Sequence, residues 1–452
     1  MPVGGADYEL SAGALSRLDE SSDHLRPDAG FVPHVVAWNL TKRCNLECAH
    51  CYISAGPDES ATGELTTEEC LRIAQEILSL NSSPMFILSG GEPLLRSDLT
   101  TIASFASERG ATVVVGTNGT LLTDRKIEEL RDAGVSGFAV SVESLNADYH
   151  DRFRRVHGSL AATLQAVDRL AAHQMDFVIQ TTLTRGNRAE LAELVRWADS
   201  KGAVSFNGYF VVATGRATRM DTLSPVEFED LLSQLVDLHV AYMGRMMVRA
   251  KCAPQFMRLV YEKAPDSPVM NYPSRCPCGL QYCRITPDGK LTACPYMPVA
   301  AGDLRKSSFE EIWSGADLFT ELRTGSLGGK CGRCGYRSIC GGCRARAFAS
   351  DGSYLSEDPS CTYQPDGSEP LVERPRDVTY GDVVERTLEW APEALERVNK
   401  IPSFVRGVVT QRMESYARKK GLDRITLEML TEVRRQMPID FSKRSPFFLR
   451  ND

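Results

Sequence analysis

Between about residues 34 and 243, short apolar and β-branched runs alternate with longer segments whose apolar residues recur at helical spacing. The predicted strands are residues 34–41, 84–89, 111–117, 137–142, 176–184 and 203–212. The predicted helices begin near Thr66, Ser97, Thr123, Ser159, Arg188 and Ser224, and several of these residues are suited to cap a helix. Six strand–helix units in series predict an α/β fold with a parallel sheet, either open or closed into a partial barrel.

The pattern changes twice further along the chain. Residues 244–365 form a second predicted domain that is rich in Cys, Gly, Pro and Arg, and from 252 onward it has few long periodic stretches. We expect such a segment to bury little apolar surface and to depend on bound metal for its core. A linker at 366–379 precedes a small three-helix domain at 380–452, and residues 1–33 are an N-terminal extension.

Composition narrows the class of protein. The 452 residues are 42% hydrophobic and 25% charged, which suits a globular chain of two or three packed units. A net charge of -7 without a long basic tract excludes nonspecific nucleic-acid binding. No apolar run reaches the roughly 18 residues of a membrane span, and the acidic first thirty residues lack the apolar core of a signal peptide. We therefore expect a cytoplasmic protein without a membrane partner.

The cysteines are grouped rather than dispersed. Of 14 cysteines, twelve fall into tight groups, which indicates metal ligation in a reducing compartment rather than disulfides. Cys44, Cys48 and Cys51 follow the first predicted strand directly, where barrel folds place reactive groups. Structural zinc and [4Fe–4S] sites use four protein ligands, so three close cysteines indicate one position left to an exchangeable ligand. A zinc knuckle or a chance cluster is the alternative.

Two glycine-containing motifs follow the next strands. They are Ser89-Gly-Gly-Glu-Pro93 and Gly116-Thr-Asn-Gly119. Glycines at strand ends let a ligand approach the backbone closely, and Glu92 and Asn118 offer polar contacts. Because the carboxyl ends of parallel strands share one edge, we expect these motifs and the three cysteines to meet at a common mouth.

With these motifs, residues 34–243 resemble the radical S-adenosylmethionine (AdoMet) enzymes, which implies a partial (β/α)6 barrel. In that family the three cysteines bind a [4Fe–4S] cluster, the methionine part of AdoMet occupies the open iron, and reductive cleavage gives a 5′-deoxyadenosyl radical. The resemblance implies that AdoMet contacts His50 and Tyr52 near adenine, Gly90, Gly91, Glu92 and Pro93 at the amino group, Ser141 and Glu143 at the ribose, and Arg154 at the carboxylate, with Asn118 nearby. Glu143 stands where the family usually carries Asp.

The second domain is similar to the SPASM extension of that superfamily, which holds one or two auxiliary [4Fe–4S] clusters. The motifs are Cys276-x12-Gly289-x4-Cys294, Cys331-x2-Cys334-x5-Cys340-x2-Cys343 and Cys361. Thiolate-rich sites suit iron–sulfur clusters or zinc, and the resemblance favours iron. We assign Cys276, Cys283, Cys294 and Cys343 to one cluster, and Cys331, Cys334, Cys340 and Cys361 to the other. Cys278 is a spare or substitute ligand, and Cys70 and Cys252 are predicted to be buried structural thiols.

Several short sequence segments resemble a narrower branch of the superfamily, whose members shorten or remove tetrapyrrole side chains in the alternative haem and denitrification-haem pathways. They are Trp38–Thr41, His150–Arg154, Thr214–Ala217, Cys252–Pro254, Ile285–Pro295 and Cys340–Phe348. Residues 390–425 are similar to the small domain that ends a subunit of light-independent protochlorophyllide reductase, although a docking domain unrelated to substrate is the alternative. The resemblance implies a siroheme-derived or coproporphyrin-type substrate that loses acetate or carboxyl groups.

Such a substrate carries several carboxylates and needs cations at the barrel mouth, for which arginine has the right geometry. The candidates are Arg152, Arg155, Arg216, Arg344 and Arg346. We expect no catalytic residue beyond the cluster and AdoMet, and an electron donor such as ferredoxin or flavodoxin. One alternative is a SPASM peptide maturase, although residues 1–33 are too short for the usual leader-binding domain. The other is an iron–sulfur electron-transfer or scaffold protein, which leaves residues 90–93 and 116–119 without a purpose.

Overall fold

One sheet runs through most of the described chain, with the strand order β10-β9-β8-β1-β2-β3-β4-β5-β6-β7. The computed structural model describes residues 31–271, 275–373, 386–399, 401 and 403–435. The strands are β1 (Val35–Asn39), β2 (Met85–Ser89), β3 (Thr112–Thr117), β4 (Val135–Ser141), β5 (Asp176–Leu183), β6 (Ser205–Phe210), β7 (Met247–Lys251), β8 (Tyr282–Ile285), β9 (Lys290–Cys294) and β10 (Met297–Asp303). Strands β1 to β7 are parallel, β8 pairs parallel with β1, and β9 and β10 continue antiparallel. The six predicted strands and the α/β class are confirmed.

Helices connect the parallel strands. They are α1 (Thr67–Leu80), α2 (Leu99–Glu108), α3 (Asp124–Asp132), α4 (Ala147–Arg154), α5 (Ser159–Ala172), α6 (Leu191–Ser200) and α7 (Pro225–Ala241). Capping boxes at Thr66 and Ser224 and a side-chain cap at Thr123 explain three of the predicted starts. Helix α4 was not predicted. No helix in the described ranges is long and apolar enough to cross a membrane.

The two faces of the parallel sheet differ in polarity. The face toward the helices is mostly apolar, with Val36, Trp38, Phe86, Leu88, Val113, Phe138, Ile179 and Phe206 buried. The opposite face carries polar side chains near the carboxyl ends of the strands, including Asn39, Ser89, Ser141, Gln180 and Tyr209. Both faces of a parallel sheet are ordinarily apolar. A polar inner face therefore indicates a ligand site inside the curved sheet.

The second segment has more apolar core than its composition suggests. It contains α8 (Gln255–Lys263), α9 (Phe309–Gly315), α10 (Asp317–Thr324), α11 (Gly329–Arg333) and α12 (Arg344–Asp351) besides β8 to β10. Phe309, Trp313 and Phe319 are buried and their rings contact one another. The expectation that metal replaces an apolar core here is therefore wrong, because aromatic residues spread over two short helices form one.

The C-terminal module contains the three predicted helices, α13 (Pro392–Asn399), α14 (Ser403–Lys420) and α15 (Leu427–Arg435), and a two-stranded parallel sheet of β11 (Glu389–Trp390) and β12 (Arg424–Ile425). Its core includes Trp390, Ala394, Val398, Met413, Ala417 and Ile425. Ser403 joins the module to the barrel by hydrogen bonds to His34 (2.8 Å), Asn81 (3.0 Å) and the Ser83 carbonyl (3.2 Å). These partners precede β1 and β2, so the module is attached at the amino end of the strands. Parts of the predicted N-terminal extension and linker lie outside the described residues.

Candidate active site

The loop after β1 brings its three cysteines into a largely buried group. The sulfurs of Cys44 and Cys51 accept backbone N–H bonds from Leu46 (3.4 Å) and Ala55 (3.3 Å). Burial raises the pKa of Cys44 to about 12 and also raises that of Cys51. Such thiols keep their protons unless a metal displaces them, and backbone N–H groups directed at sulfur are typical of iron–sulfur ligands. The donor set of Cys44, Cys48 and Cys51 therefore fits a metal cluster.

The two glycines after β2 pack against the backbone of this loop. Gly91 donates to the Thr41 carbonyl at 2.7 Å, and Glu92 N donates to the Arg43 carbonyl at 2.9 Å. A Cβ atom at Gly90 would lie 2.5 Å from the Thr41 oxygen, and one at Gly91 would lie 2.3 Å from the Arg43 oxygen. Gly90 also has φ +152°. Any side chain here would push the cysteine loop away, which explains why the sequence has two glycines.

Glu92 joins the carboxyl ends of β2 and β3. Its buried carboxylate accepts hydrogen bonds from Leu94 N (3.2 Å), Thr117 Oγ1 (2.8 Å) and Asn118 N (2.9 Å). Burial raises the pKa of Glu92 to about 7. The Asn118 amide in turn lies 3.9 Å from the Cys44 sulfur. The predicted meeting of the glycine motifs with the cysteines at one mouth is confirmed, with Pro93 opening a 3-10 turn beside them.

A buried ion pair closes the other side of the mouth. Arg154 donates to the Glu143 carboxylate at 2.6 Å and to the Cys48 sulfur at 3.4 Å. The second oxygen of Glu143 accepts from Thr182 N at 2.6 Å. Burial raises the pKa of Glu143 against the opposing effect of Arg154. Ser141 lies at the end of β4, two positions before Glu143, and is half-buried. Within the described residues the buried Nε of Arg154 has no partner, so its N–H group can donate a hydrogen bond to a ligand.

His50 and Tyr52 flank the third cysteine. The His50 ring stacks on Phe153 with centroids 4.7 Å apart, and its Nε2 lies 3.8 Å from Glu143. Burial lowers the pKa of His50 well below its usual value, so the ring is neutral, and its buried Nδ1 has no partner among the described residues. The Tyr52 hydroxyl accepts from Asn39 at 2.8 Å and faces the barrel interior. An unpaired ring nitrogen beside the cysteines suits an aromatic heterocycle such as adenine.

Four cysteines of the second segment line one pocket, as the assignment of the second auxiliary cluster requires: Cys331, Cys334, Cys340 and Cys361. Backbone N–H groups point at three of the sulfurs, at 3.4–3.5 Å. Arg258 and Lys330 lie on the cavity wall and oppose the rise that burial causes in the pKa of Cys361. Nearby cations and N–H donors stabilise thiolates. Among the described residues no three His, Cys, Asp or Glu side chains converge on a single-ion site.

The thiols of the other predicted set do not all lie together. The Cys276 sulfur contacts that of Cys278 at 3.3 Å, and Cys294 and Cys343 belong to the same group. Cys252, predicted to be an isolated structural thiol, joins them, since its pKa is raised by burial and then by the charges of these neighbours. Cys283 is fully buried on β8 in register with Val36, on the helix side of the sheet, where burial raises its pKa and only the charge of Arg323 opposes that rise. The sequence feature that could have indicated the Cys252 thiol as a ligand is Cys252-Ala-Pro254, which directly follows β7.

Most of the arginines expected to bind substrate have other partners. Arg216 donates to two carbonyl oxygens of the cysteine loop at 2.8 and 2.7 Å. Arg344 donates to two carbonyl oxygens of the loop after its own helix, and Arg346 pairs with a buried aspartate at 2.9 Å. Arg155 pairs with an exposed glutamate at 3.0 Å, and Arg152 lies 5.9 Å from a tyrosine ring. Arg155, Arg216, Arg344 and Arg346 therefore already bind groups of the protein, and the role of the five arginines toward substrate carboxylates stays a prediction.

The arrangement matches known families over most of the chain. Residues 38–198 match the radical SAM superfamily, 276–344 the iron-sulfur cluster-binding SPASM domain, and 390–434 the proto-chlorophyllide reductase 57 kD subunit. The fold is shared with Streptococcus suis SuiB bound to S-adenosylmethionine, at a TM-score of 0.61 and 15% identity over 74% of this chain and 78% of that one. Fold and site define a radical SAM enzyme with a SPASM domain. The predicted cofactors, [4Fe–4S] clusters and AdoMet, are confirmed.

Curated relatives narrow this class. The chain is 38% identical to the AdoMet-dependent heme synthase of Methanosarcina barkeri (strain Fusaro / DSM 804), over 74% of this chain and 97% of that protein. It is 28% identical to the Fe-coproporphyrin III synthase of the same organism, over 72% and 87%. It is 30% identical to the mycofactocin maturase MftC of Mycobacterium ulcerans (strain Agy99), over 77% and 92%. The chain belongs to the family of the AdoMet-dependent heme synthases.

Proposed function

We propose that the protein converts propionate side chains of an iron coproporphyrin to vinyl groups in haem synthesis. The supporting observation is the 38% identity over nearly the whole of a relative named for haem, against 28% to one named for Fe-coproporphyrin III. Haem differs from iron coproporphyrin III by vinyl groups in place of propionates. In each conversion the side chain loses one hydrogen atom, one carbon dioxide and one electron.

We propose these residues as holders of the cofactors. Cys44, Cys48 and Cys51 hold the AdoMet cluster, and Gly90 to Pro93, Asn118, Ser141, Glu143, Arg154, His50 and Tyr52 surround AdoMet. The glycine cradle and the unpaired nitrogens of His50 and Arg154 fit a ligand of that kind. Cys252, Cys276, Cys294 and Cys343 hold one auxiliary cluster, with Cys278 beside it, and Cys331, Cys334, Cys340 and Cys361 hold the other. When bound, cluster and AdoMet supply the hydrogen-abstracting radical.

The protein itself contributes position and protection from water. Glu92 and Asn118 fix the ends of β2 and β3 against the cysteine loop, and Arg154 holds Glu143 beside Cys48. Because these groups are almost fully buried, the site keeps solvent from reactive species, which would otherwise be quenched. A carboxylate near its pKa of about 7 at Glu92 accepts hydrogen bonds without placing a full charge beside the cysteines.

We infer the electron donor and the compartment from the chemistry of the reaction and of the thiols, rather than from contacts in the structure. We propose a ferredoxin or flavodoxin as the donor, since each turnover needs single low-potential electrons. Twelve grouped thiols need a reducing compartment, so we place the protein in the cytoplasm.

The test is anaerobic reconstitution followed by incubation with AdoMet, dithionite and either iron coproporphyrin III or didecarboxysiroheme. We expect 5′-deoxyadenosine together with a macrocycle that has lost carboxyl groups as carbon dioxide, from iron coproporphyrin III only. A change in didecarboxysiroheme instead would assign the siroheme branch. Formation of 5′-deoxyadenosine with both macrocycles unchanged would favour a peptide maturase, in line with the similarity to MftC.

A further inference from the structure

Two cations project from β7 toward the inside of the curved sheet. Arg249 and Lys251 alternate with Val248, which is fully buried against the helices, so both lie on the opposite face. The register places them beside Asn207 and Tyr209 of β6. They therefore belong to the polar inner face described above, at its carboxyl end.

A third cation reaches the same interior from β8. Arg284 is paired in register with Ala37, and its Nε donates to the Asn39 side chain at 2.6 Å. Its guanidinium carbon lies 5.6 Å from the centre of the Tyr52 ring. Tyr52 directly follows Cys51, so Arg284 lies close to the AdoMet site.

These three cations lack the acidic partners that other buried arginines have. Elsewhere Arg96 pairs with Asp98, Arg154 with Glu143 and Arg346 with Asp358. Within the described ranges, neither Arg249, Lys251 nor Arg284 forms an ion pair with a carboxylate; Arg249 donates to the Met247 sulfur and Arg284 to an amide oxygen. Arg284 is buried, and Arg249 and Lys251 are half-buried. Removing a cation from water is unfavourable unless an anion compensates its charge. This arrangement indicates an anionic ligand.

The position of the cations agrees with a substrate site. Lys251 directly precedes Cys252, which belongs to one group of auxiliary thiols, whereas Arg284 approaches the residue after Cys51. A ligand held by these side chains would lie between the two groups of thiols. Aromatic side chains border the same space, since the Tyr296 ring lies 5.1 Å from that of Tyr52 and Tyr209 stands in register with Lys251.

We propose that Arg249, Lys251 and Arg284 form a cationic wall that binds the propionate carboxylates of the macrocyclic substrate. This inference rests on the proposed function and specifies how that site recognises its substrate. Two arginines and one lysine can each bind a different carboxylate, whereas a single bidentate arginine would bind only one.

The test compares two soluble iron porphyrins that differ in carboxylate number, coproporphyrin with four and mesoporphyrin with two. The anaerobically reconstituted full-length protein and its Arg249→Gln, Lys251→Gln and Arg284→Gln variants are titrated with each while the Soret band is followed. Arg245→Gln is the matched control, because Arg245 is exposed just before β7 and pairs with Asp199. We expect each wall variant to bind iron coproporphyrin about tenfold more weakly and to lose most of its preference over mesoporphyrin. The control should match the parent.

Two further measurements separate this role from others. The substrate-free Arg249→Gln and Lys251→Gln variants should melt at the same or a higher temperature than the parent, because an uncompensated charge has been removed. Porphyrin affinities equal to those of the parent would overturn the inference. Normal porphyrin affinity together with a shifted reduction potential of the auxiliary cluster would also overturn it, because the cations would then be partners of the thiolates. Carboxylate-dependent binding without turnover would leave the wall intact and refute only the proposed function. Failure of the parent to bind either porphyrin refutes both.

Discussion

Arg154 and Glu143 form a buried ion pair, 2.6 Å long, whose cation also donates to the Cys48 sulfur. Replacing Arg154 by Gln leaves the Glu143 carboxylate buried without its cation, which costs about 3–5 kcal/mol when a buried pair is broken from one side. We expect the variant to lose that much free energy of unfolding and to bind AdoMet weakly, measured by anaerobic denaturation and equilibrium dialysis. Arg125→Gln breaks an exposed pair with Glu129 and should leave the free energy of unfolding almost unchanged. Equal effects of the two substitutions would contradict this assignment.

Gly91→Ala tests the contact between the glycine motif and the cysteine loop. The new Cβ would lie 2.3 Å from the Arg43 carbonyl oxygen, so the loop must move. We expect the variant to retain the auxiliary clusters but to lose most AdoMet cleavage, measured as 5′-deoxyadenosine per protein. Gly315→Ala, where a Cβ meets nothing within 4 Å, is the control and should behave as the parent. Parent-like cleavage by Gly91→Ala would show that the close approach has no role.

Cys252→Ala and Cys283→Ala separate the two possible ligand sets of the first auxiliary cluster. Because Cys252 lies with Cys276, Cys294 and Cys343, its removal should lower iron content by up to about four atoms per protein, as expected for loss of a four-iron cluster. Cys283→Ala should keep full iron content and change only packing. Iron and sulfide analysis with electron paramagnetic resonance measures both. The reverse outcome would restore Cys283 as the ligand.

Arg216→Gln tests whether Arg216 supports the cysteine loop or binds substrate. Its guanidinium donates to the Cys48 and Ala55 carbonyls, and charged hydrogen bonds of this kind contribute about 1.5–3 kcal/mol each. We expect faster loss of the AdoMet cluster on exposure to chelator, with unchanged affinity for iron coproporphyrin. Arg219→Gln, on the exposed side of the same turn, is the control. Weakened porphyrin binding with a stable cluster would favour the substrate role.

His150 makes stability depend on pH. Burial lowers its pKa to about 3, and its Nδ1 accepts from the Glu143 backbone N–H at 3.2 Å. Between pH 6.5 and about 3 the unfolded chain binds this proton and the folded chain does not, so stability falls as pH falls through this window. The loss amounts to about 2 kcal/mol from pH 6.5 to 5. His150→Asn keeps an acceptor and should flatten that slope in anaerobic denaturation; an unchanged slope would assign the proton elsewhere.

The strands could be predicted from sequence because they depend on local pattern, whereas the AdoMet contacts were implied by the family resemblance and stay a prediction. Alternating apolar runs mark the strands, side-chain caps such as Thr66 and Ser224 mark helix starts, and the motifs after β1, β2 and β3 meet because parallel strands share an edge.

What sequence analysis missed depends on contacts between distant segments. Cys252 and Cys276 are separated by 24 positions and meet only because β7 and the segment before β8 approach one another. Cys283 is close to Cys276 in sequence but faces the other side of its strand. The same holds for the cations of β7 and β8. Their alternation with apolar residues is visible in the sequence, but the polar face they share appears only with the register of the sheet.

Strand β8 is hydrogen-bonded in register to β1, so the segment bearing the auxiliary thiols and the one bearing the first three cysteines share a single sheet. No hinge separates them within the described part of that sheet. With clusters bound at both groups of thiols, the distance between them would be fixed by the hydrogen bonds between β1 and β8, and an electron could pass from one to the other without a domain movement.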